Sequence, residues 1–174
     1  MNYLTAFSTE RLYIRPLTLE DCADWEVFLA DAEATRYLPN FDNLSVRDWA
    51  RQWINKQLQR YAEGRFGLLA LIEKETGAFV GQCGLLTQVV DGQEEMEIGY
   101  HLLPAHWKKG YATEAAQAFK KMAFDNQLAV SIISIIDPEN HNSQQVALRN
   151  GMQAAKTSTF WGMDVIIFGT SQPS

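Results

Sequence analysis

Between Val130 and Ile136 the chain reads VSIISII, a run rich in β-branched residues with no alternation of apolar and polar positions. A strand of this kind is apolar on both sides, so it belongs inside a sheet that is covered on both faces. Asp137-Pro138 bounds the run, and a helical pattern precedes it from about Tyr111 to Asn126, with Ala115, Ala118, Phe119 and Met122 along one side. Before that helix lies another strand candidate, Glu95 to Leu103, stopped by Pro104. Strand, helix, strand in this order predicts local parallel pairing across a helical crossover.

The rest of the chain surrounds this unit. Leu12 to Leu17 predicts a first strand, and Thr18 with Asp21 supplies the start signal of a helix running to about Ala30. Ser45 and Asp48 repeat that signal ahead of Trp49, Trp53, Ile54, Leu58 and Tyr61, whose spacing predicts a second helix up to Gly64. Between them, Thr35 to Leu44 has no clear period and reads as a loop. Phe66 to Glu73, Ala78 to Val89 and Glu95 to Leu103, separated by turns ending in Gly77 and Gly92, predict an antiparallel meander. Ser143 to Asn150 reads as a short helix capped by Gly151, and strands over Met152 to Thr159 and Met163 to Phe168 close the chain. The expectation is one α+β domain over residues 1–174 with a mostly antiparallel sheet.

Charge narrows the choice of partner. With 21 acidic against 15 basic residues the formal net charge is -6, which argues against a protein that gains its affinity by neutralising nucleic-acid phosphates. No apolar run approaches the ~18 residues of a membrane span, and MNYLTAFSTERL does not have the pattern of a secretory leader. Cys22 and Cys83 lie far apart without metal-ligand spacing, so reduced thiols in a cytoplasmic protein are expected, with no metal. Exposed strands near the C-terminus leave a homodimer open.

Residues 97–115, EIGYHLLPAHWKKGYATEA, carry the chemistry. A strand, a proline exit, a glycine turn and a helix with small residues in its first turn present free backbone N–H groups and a partial positive charge, an arrangement suited to a diphosphate. Gly110 and Ala112 let phosphates approach the main chain, and Lys108 and Lys109 add positive charge. By itself this turn could equally be a tight connection. After the buried strand, however, comes Asp137-Pro-Glu-Asn140-His-Asn-Ser143, followed by Val146, Asn150, Gly151 and Met152.

Together these segments resemble the GNAT superfamily, and within it the RimJ/RimL type of ribosomal-protein N-terminal acetyltransferase. WKKGYATEA is similar to its acetyl-CoA motif Q/R-x-x-G-x-G/A, Asn140 to Ser143 to its N-x-x-S element, Leu148 to Met152 to its K-x-G-F stretch, and Thr9 to Leu17 to its T-E-R-L-x-L-R-x-L opening. The chain departs from the pattern at Trp107, at Met152 in place of Phe, and at Ala147, where many members carry a tyrosine general acid.

The resemblance implies a GNAT-type fold of about six to seven strands with about four helices, acetyl-CoA as cosubstrate, and direct transfer to an amine in a ternary complex. It implies that Leu102, Leu103, Lys108, Lys109, Gly110, Tyr111, Ala112, Thr113, Asn140 and Ser143 line the cofactor. Main-chain N–H groups of Leu102 and Leu103, at a bulge, would stabilise the oxyanion. Ser143 would protonate the departing thiolate, although a helix cap is the plainer role for it. Glu97, with Glu95 on the same strand face, would take the amine proton through water, and a solvated acid is its plainer reading. His101 could relay that proton or simply pack; His106 and His141 read as solvent-exposed. Asn140 is expected on the pantetheine arm or as a turn residue. Trp25, Trp49 and Trp53 are expected in the core, with Trp49 a candidate for the acceptor groove. A protein N-terminus is the first-choice acceptor, a polyamine or aminoglycoside the second, and a non-catalytic acyl-CoA sensor would need neither Glu97 nor Ser143.

Overall fold

The structure, a computed structural model, describes residues 2–39 and 43–172. Its strands are β1 (Phe7–Ser8), β2 (Leu12–Pro16), β3 (Leu68–Glu73), β4 (Phe79–Val90), β5 (Gln93–Leu102), β6 (Ser131–Ile136), β7 (Gln153–Phe160) and β8 (Met163–Ser171). Its helices are α1 (Cys22–Ala30), α2 (Val46–Ala62), α3 (Tyr111–Asp125) and α4 (His141–Arg149). The strands form one sheet in the order β1-β2-β3-β4-β5-β6-β8-β7. Among the described residues only β5 and β6 run parallel.

Two apolar layers flank the sheet. On one face Phe119, Ala115, Ala116 and Met122 of α3 and Ala147 of α4 pack on Leu12, Ile14, Leu69, Leu71, Val80 and Ile98. On the other, Trp25 and Phe28 of α1 and Ala50 and Ile54 of α2 pack on Leu17, Leu68, Ala70, Phe79 and Leu86. Ile132, Ile133, Ser134 and Ile136 of β6 are all buried, as an unalternating run requires. Phe119 is fully enclosed, and its truncation to alanine should cost about 3–5 kcal/mol.

The helix starts follow the expected chemistry, with one shift. Ser45 Oγ accepts from the Asp48 N–H at 3.1 Å ahead of α2. Thr18 and Asp21 cap a single 3-10 turn, Leu19–Asp21, that leads into α1; Arg15 clamps the buried Asp21 carboxylate with two bonds of 2.9 and 2.8 Å. α4 begins at His141 rather than Ser143, because Asn140 Oδ1 accepts from the Ser143 N–H at 3.1 Å. The sheet has eight strands among the described residues, more than the six to seven expected. The addition is β1, whose two residues are too short to carry an alternating pattern. Part of the predicted loop Thr35 to Leu44, residues 40–42, lies outside the described residues.

Candidate active site

At the start of α3 the chain makes a tight turn in which Lys108 and Gly110 both have positive φ, 59° and 82°. Glu114 N–H to the Gly110 carbonyl, 3.0 Å, is the first bond of the helix, and no side chain caps it. The N–H groups of Tyr111, Ala112 and Thr113 are therefore unspent, as the first turn of a helix dictates. These residues line a cavity of about 840 Å³ together with Lys108, Gly110 and Asn140. Unspent amides and two left-handed residues in the turn, one of them glycine, fit the diphosphate of coenzyme A. Lys109 is not among the lining residues, and its carbonyl accepts from Arg11 Nη1 at 2.8 Å.

The cavity runs on to the end of β5. Leu103 N–H donates to the Val80 carbonyl at 3.0 Å, so it is held by β4 and is not free for an oxyanion. In an extended strand alternate residues direct their backbone groups to opposite neighbours, so Leu102 N–H points the other way, toward β6. There the strands have parted: β5 and β6 are in register only at Glu97 opposite Ile133. Leu102 lines the cavity, and its carbonyl is fixed by Trp107 Nε1 at 2.7 Å. The expected bulge is absent from β5, whose register with β4 is unbroken from Gln93 to Leu102. The irregularity lies between β3 and β4, where Val80 is skipped in the pairing. Gly81 lets β4 come close here, since a Cβ on it would stand 2.3 Å from the His101 carbonyl oxygen.

Across the gap stands α4. Asn140 and Ser143 both line the cavity. The cap of α4 is Asn140, and Ser143 Oγ makes no hydrogen bond to any described residue, which leaves the hydroxyl available to a ligand. Tyr100 of β5 reaches the same turn, donating to the Ser143 carbonyl at 2.8 Å.

On the opposite face of β5, His101 lines the cavity within a ring of aromatics, with Trp53 at 5.4 Å, Phe28 at 6.0 Å and Trp25 at 6.4 Å between centroids. Burial pulls its pKa down to about 4, so it is neutral at physiological pH. Glu97 is on this face too but is not among the lining residues. Its carboxylate accepts from Gln88 Nε2 at 2.7 Å and from the Ile135 N–H, beside the point where β5 and β6 part. Enclosure raises its pKa; the bonds from Gln88 and Ile135 and the charge of Arg60 oppose that shift. Gly99 separates it from His101, and Leu86 and Leu68 crowd that position.

The cavity thus collects Leu102, Lys108, Gly110, Tyr111, Ala112, Thr113, Asn140 and Ser143, and leaves Glu97, Leu103 and Lys109 outside its lining. It also collects residues that sequence reasoning did not assign to the site: Phe28, Arg36, Tyr37, Tyr100 and Trp107. His106 is half-buried in the cavity wall, with Nδ1 buried and unpartnered, so solvent exposure does not account for it, whereas His141 lines the cavity and is exposed as expected. Trp25, Trp49 and Trp53 pack in the α1–α2 layer, and none lines the cavity. Arg36 and Tyr37, from the segment after α1, meet Glu139 before α4: the guanidinium at 3.3 Å from its carboxylate, the hydroxyl at 3.1 Å from its carbonyl. Among the described residues no three His, Cys, Asp or Glu side chains converge as a metal site.

An open helix start facing parted strands across one cavity defines an acyl-CoA-dependent acyltransferase, and the comparisons give the family. Residues 11–153 match the acetyltransferase (GNAT) domain, and the chain belongs to this family of N-acetyltransferases. The uncharacterized protein YkkB of Bacillus subtilis is 33% identical over 171 residues, 97% of this chain and 96% of that one. Among solved structures, RimJ of Mycobacterium smegmatis in complex with CoA-disulfide superposes with a TM-score of 0.81 at 19% identity, covering 98% of this chain and 88% of its own. The RimL ribosomal L7/L12 alpha-N-protein acetyltransferase in complex with coenzyme A superposes at 0.78 with 12% identity, covering 96% and 98%. At these identities the likeness to RimJ and RimL is one of fold.

Proposed function

We propose that this acetyltransferase moves the acetyl group of acetyl-CoA to the α-amine of a protein N-terminus, in a ternary complex and without an acyl-enzyme. The supporting observation is the union, in one cavity, of the unspent amides at the start of α3 with the free Leu102 N–H. Tyr111, Ala112 and Thr113 hold the diphosphate, Asn140 bonds the pantetheine arm, and the thioester carbonyl accepts from Leu102 N–H. The amine lone pair attacks that carbon, and the oxyanion that forms is stabilised by the same donor. When the C–S bond breaks, Ser143 Oγ passes a proton to the thiolate and regains one from solvent. The proton lost by the amine goes by way of His101 and water to Glu97, on the same face of β5. Products are the amide and free CoA.

The fold likeness to RimJ and RimL favours a peptide amine, and the negative charge of the chain suits a basic acceptor. Two free cysteines, one of them buried, suit work in the cytoplasm. The test is thiol release from acetyl-CoA with a panel of peptides bearing free or blocked N-termini, together with polyamines and aminoglycosides. Release with free N-termini alone is expected. Turnover restricted to small amines would overturn the acceptor assignment, and tight CoA binding without release from any amine would mark a sensor.

A further inference from the structure

We infer that Arg11, at the beginning of β2's approach, is the positioning residue for the cosubstrate's diphosphate, holding the 108–110 turn in the shape that aims the α3 amides. This rests on the reading of α3 as a coenzyme A site. Arg11 is not among the cavity-lining residues; it acts from behind, through three consecutive residues of the turn. Nη1 donates to the Lys109 carbonyl at 2.8 Å. Nη2 lies 3.3 Å from where a Cβ on Gly110 would stand. The guanidinium carbon sits 4.5 Å from the centre of the Tyr111 ring.

The guanidinium is itself fixed. Glu114, in the first turn of α3, accepts from Arg11 Nε at 2.7 Å, from the Arg11 N–H at 2.8 Å and from Thr9 Oγ at 2.6 Å. Burial of Glu114 opposes its ionisation, yet these bonds outweigh it and hold its carboxyl below the usual value. One planar fork thus spans the strained turn and the helix that follows it. Lys108 adopts its left-handed conformation without glycine's freedom, and a turn held against its preference needs an external tie to stay preorganised. A lysine at position 11 ends in one nitrogen and does not reproduce the separate Nε and Nη1 donors that reach Glu114 and Lys109 from two positions of the planar fork. Gly110 gains a second reason for being glycine, because any side chain there would press on Nη2.

The test compares acetyl-CoA with S-acetylpantetheine, which has the thioester and amide arm but no nucleotide diphosphate. For Arg11→Ala the KM for acetyl-CoA should rise about 10-fold or more, with kcat and the KM for S-acetylpantetheine within about 2-fold of wild type. Arg11→Lys should restore less than half of the loss on a logarithmic scale. If Arg11→Ala does not fold, Arg11→Lys carries the same comparison, with an expected KM increase of about 3-fold or more. Unchanged acetyl-CoA kinetics in a folded variant would overturn the inference, as would an equal loss with both thioesters. A wild-type protein that binds no CoA would instead bring down the functional reading, so the two failures are distinguishable.

Discussion

The two ends of the cavity are built on different principles. At the cofactor end the ligand-facing groups are backbone amides of α3, held by Arg11, Glu114 and Thr9 through bonds of 2.6–2.8 Å. At the end that we propose for the acceptor the lining groups are side chains on a loop, Arg36 and Tyr37, whose contacts to Glu139 are longer and whose ion pair is largely exposed, 61% and 74% for the two side chains. Backbone donors suit a ligand part that is constant, since no single substitution replaces them. Exposed loop side chains suit a part that varies. The difference teaches where this enzyme is committed and where it is adjustable.

The comparison can be broken at several points. The largest effect should come from Leu102→Pro, which removes the N–H directed into the gap while leaving the ladder to β4 intact; kcat should fall about 10²–10³-fold, with circular dichroism and a thermal melt confirming the fold. Glu97→Gln should lower kcat about 10²-fold and flatten its pH profile. Because the Glu97 carboxyl titrates above its ordinary value, wild-type kcat should fall as pH drops through that raised value, at higher pH than for a free glutamate. Because that value is higher in the folded than in the unfolded chain, the group's contribution to stability is lost as pH rises through it, and Glu97→Gln should melt no lower than wild type at pH 8. A variant that keeps its rate but loses stability would leave Glu97 only as the group satisfying the Ile135 N–H.

Gly110→Ala should raise the KM for acetyl-CoA about 10-fold, since a left-handed φ costs a side-chain-bearing residue about 1–2 kcal/mol. The smallest effect should come from Arg36→Ala, with stability altered by less than about 1 kcal/mol, as for other exposed pairs, and a selective change in acceptor KM. Equal sensitivity of acetyl-CoA to Arg36→Ala and Gly110→Ala would erase the distinction between the two ends.

The committed end was also the legible one. Glycine, small residues and a following helical period announce the α3 start locally, and the unalternating VSIISII run is enough to place β6 inside the sheet. The adjustable end has no such local signal, and pairings between distant segments were not legible at either end, since Arg11 and Glu114 also meet across 103 positions. Arg36 and Glu139 meet across 103 positions, and Tyr100 reaches Ser143 across 43; neither pairing has a local pattern. Backbone parity was likewise hidden. Leu102 and Leu103 look alike as apolar residues, and only the Leu103 bond to Val80 separates the free amide from the engaged one. That Asn140 rather than Ser143 caps α4 was hidden for a related reason, since either side chain can cap a helix and the choice depends on where the first turn closes.

The lone register pair between Glu97 and Ile133 has a mechanical consequence. The eight strands amount to two blades, β1–β5 and β6–β8, riveted near one point, with a wedge-shaped opening beyond it. An extended, amide-bearing molecule lying in that wedge would act as a splint, tying both blades together, so occupancy should slow deuterium uptake at Tyr100, Leu102 and Ile135 well beyond the atoms it touches. In such a molecule the thing being consumed is also, for as long as it stays, part of the frame.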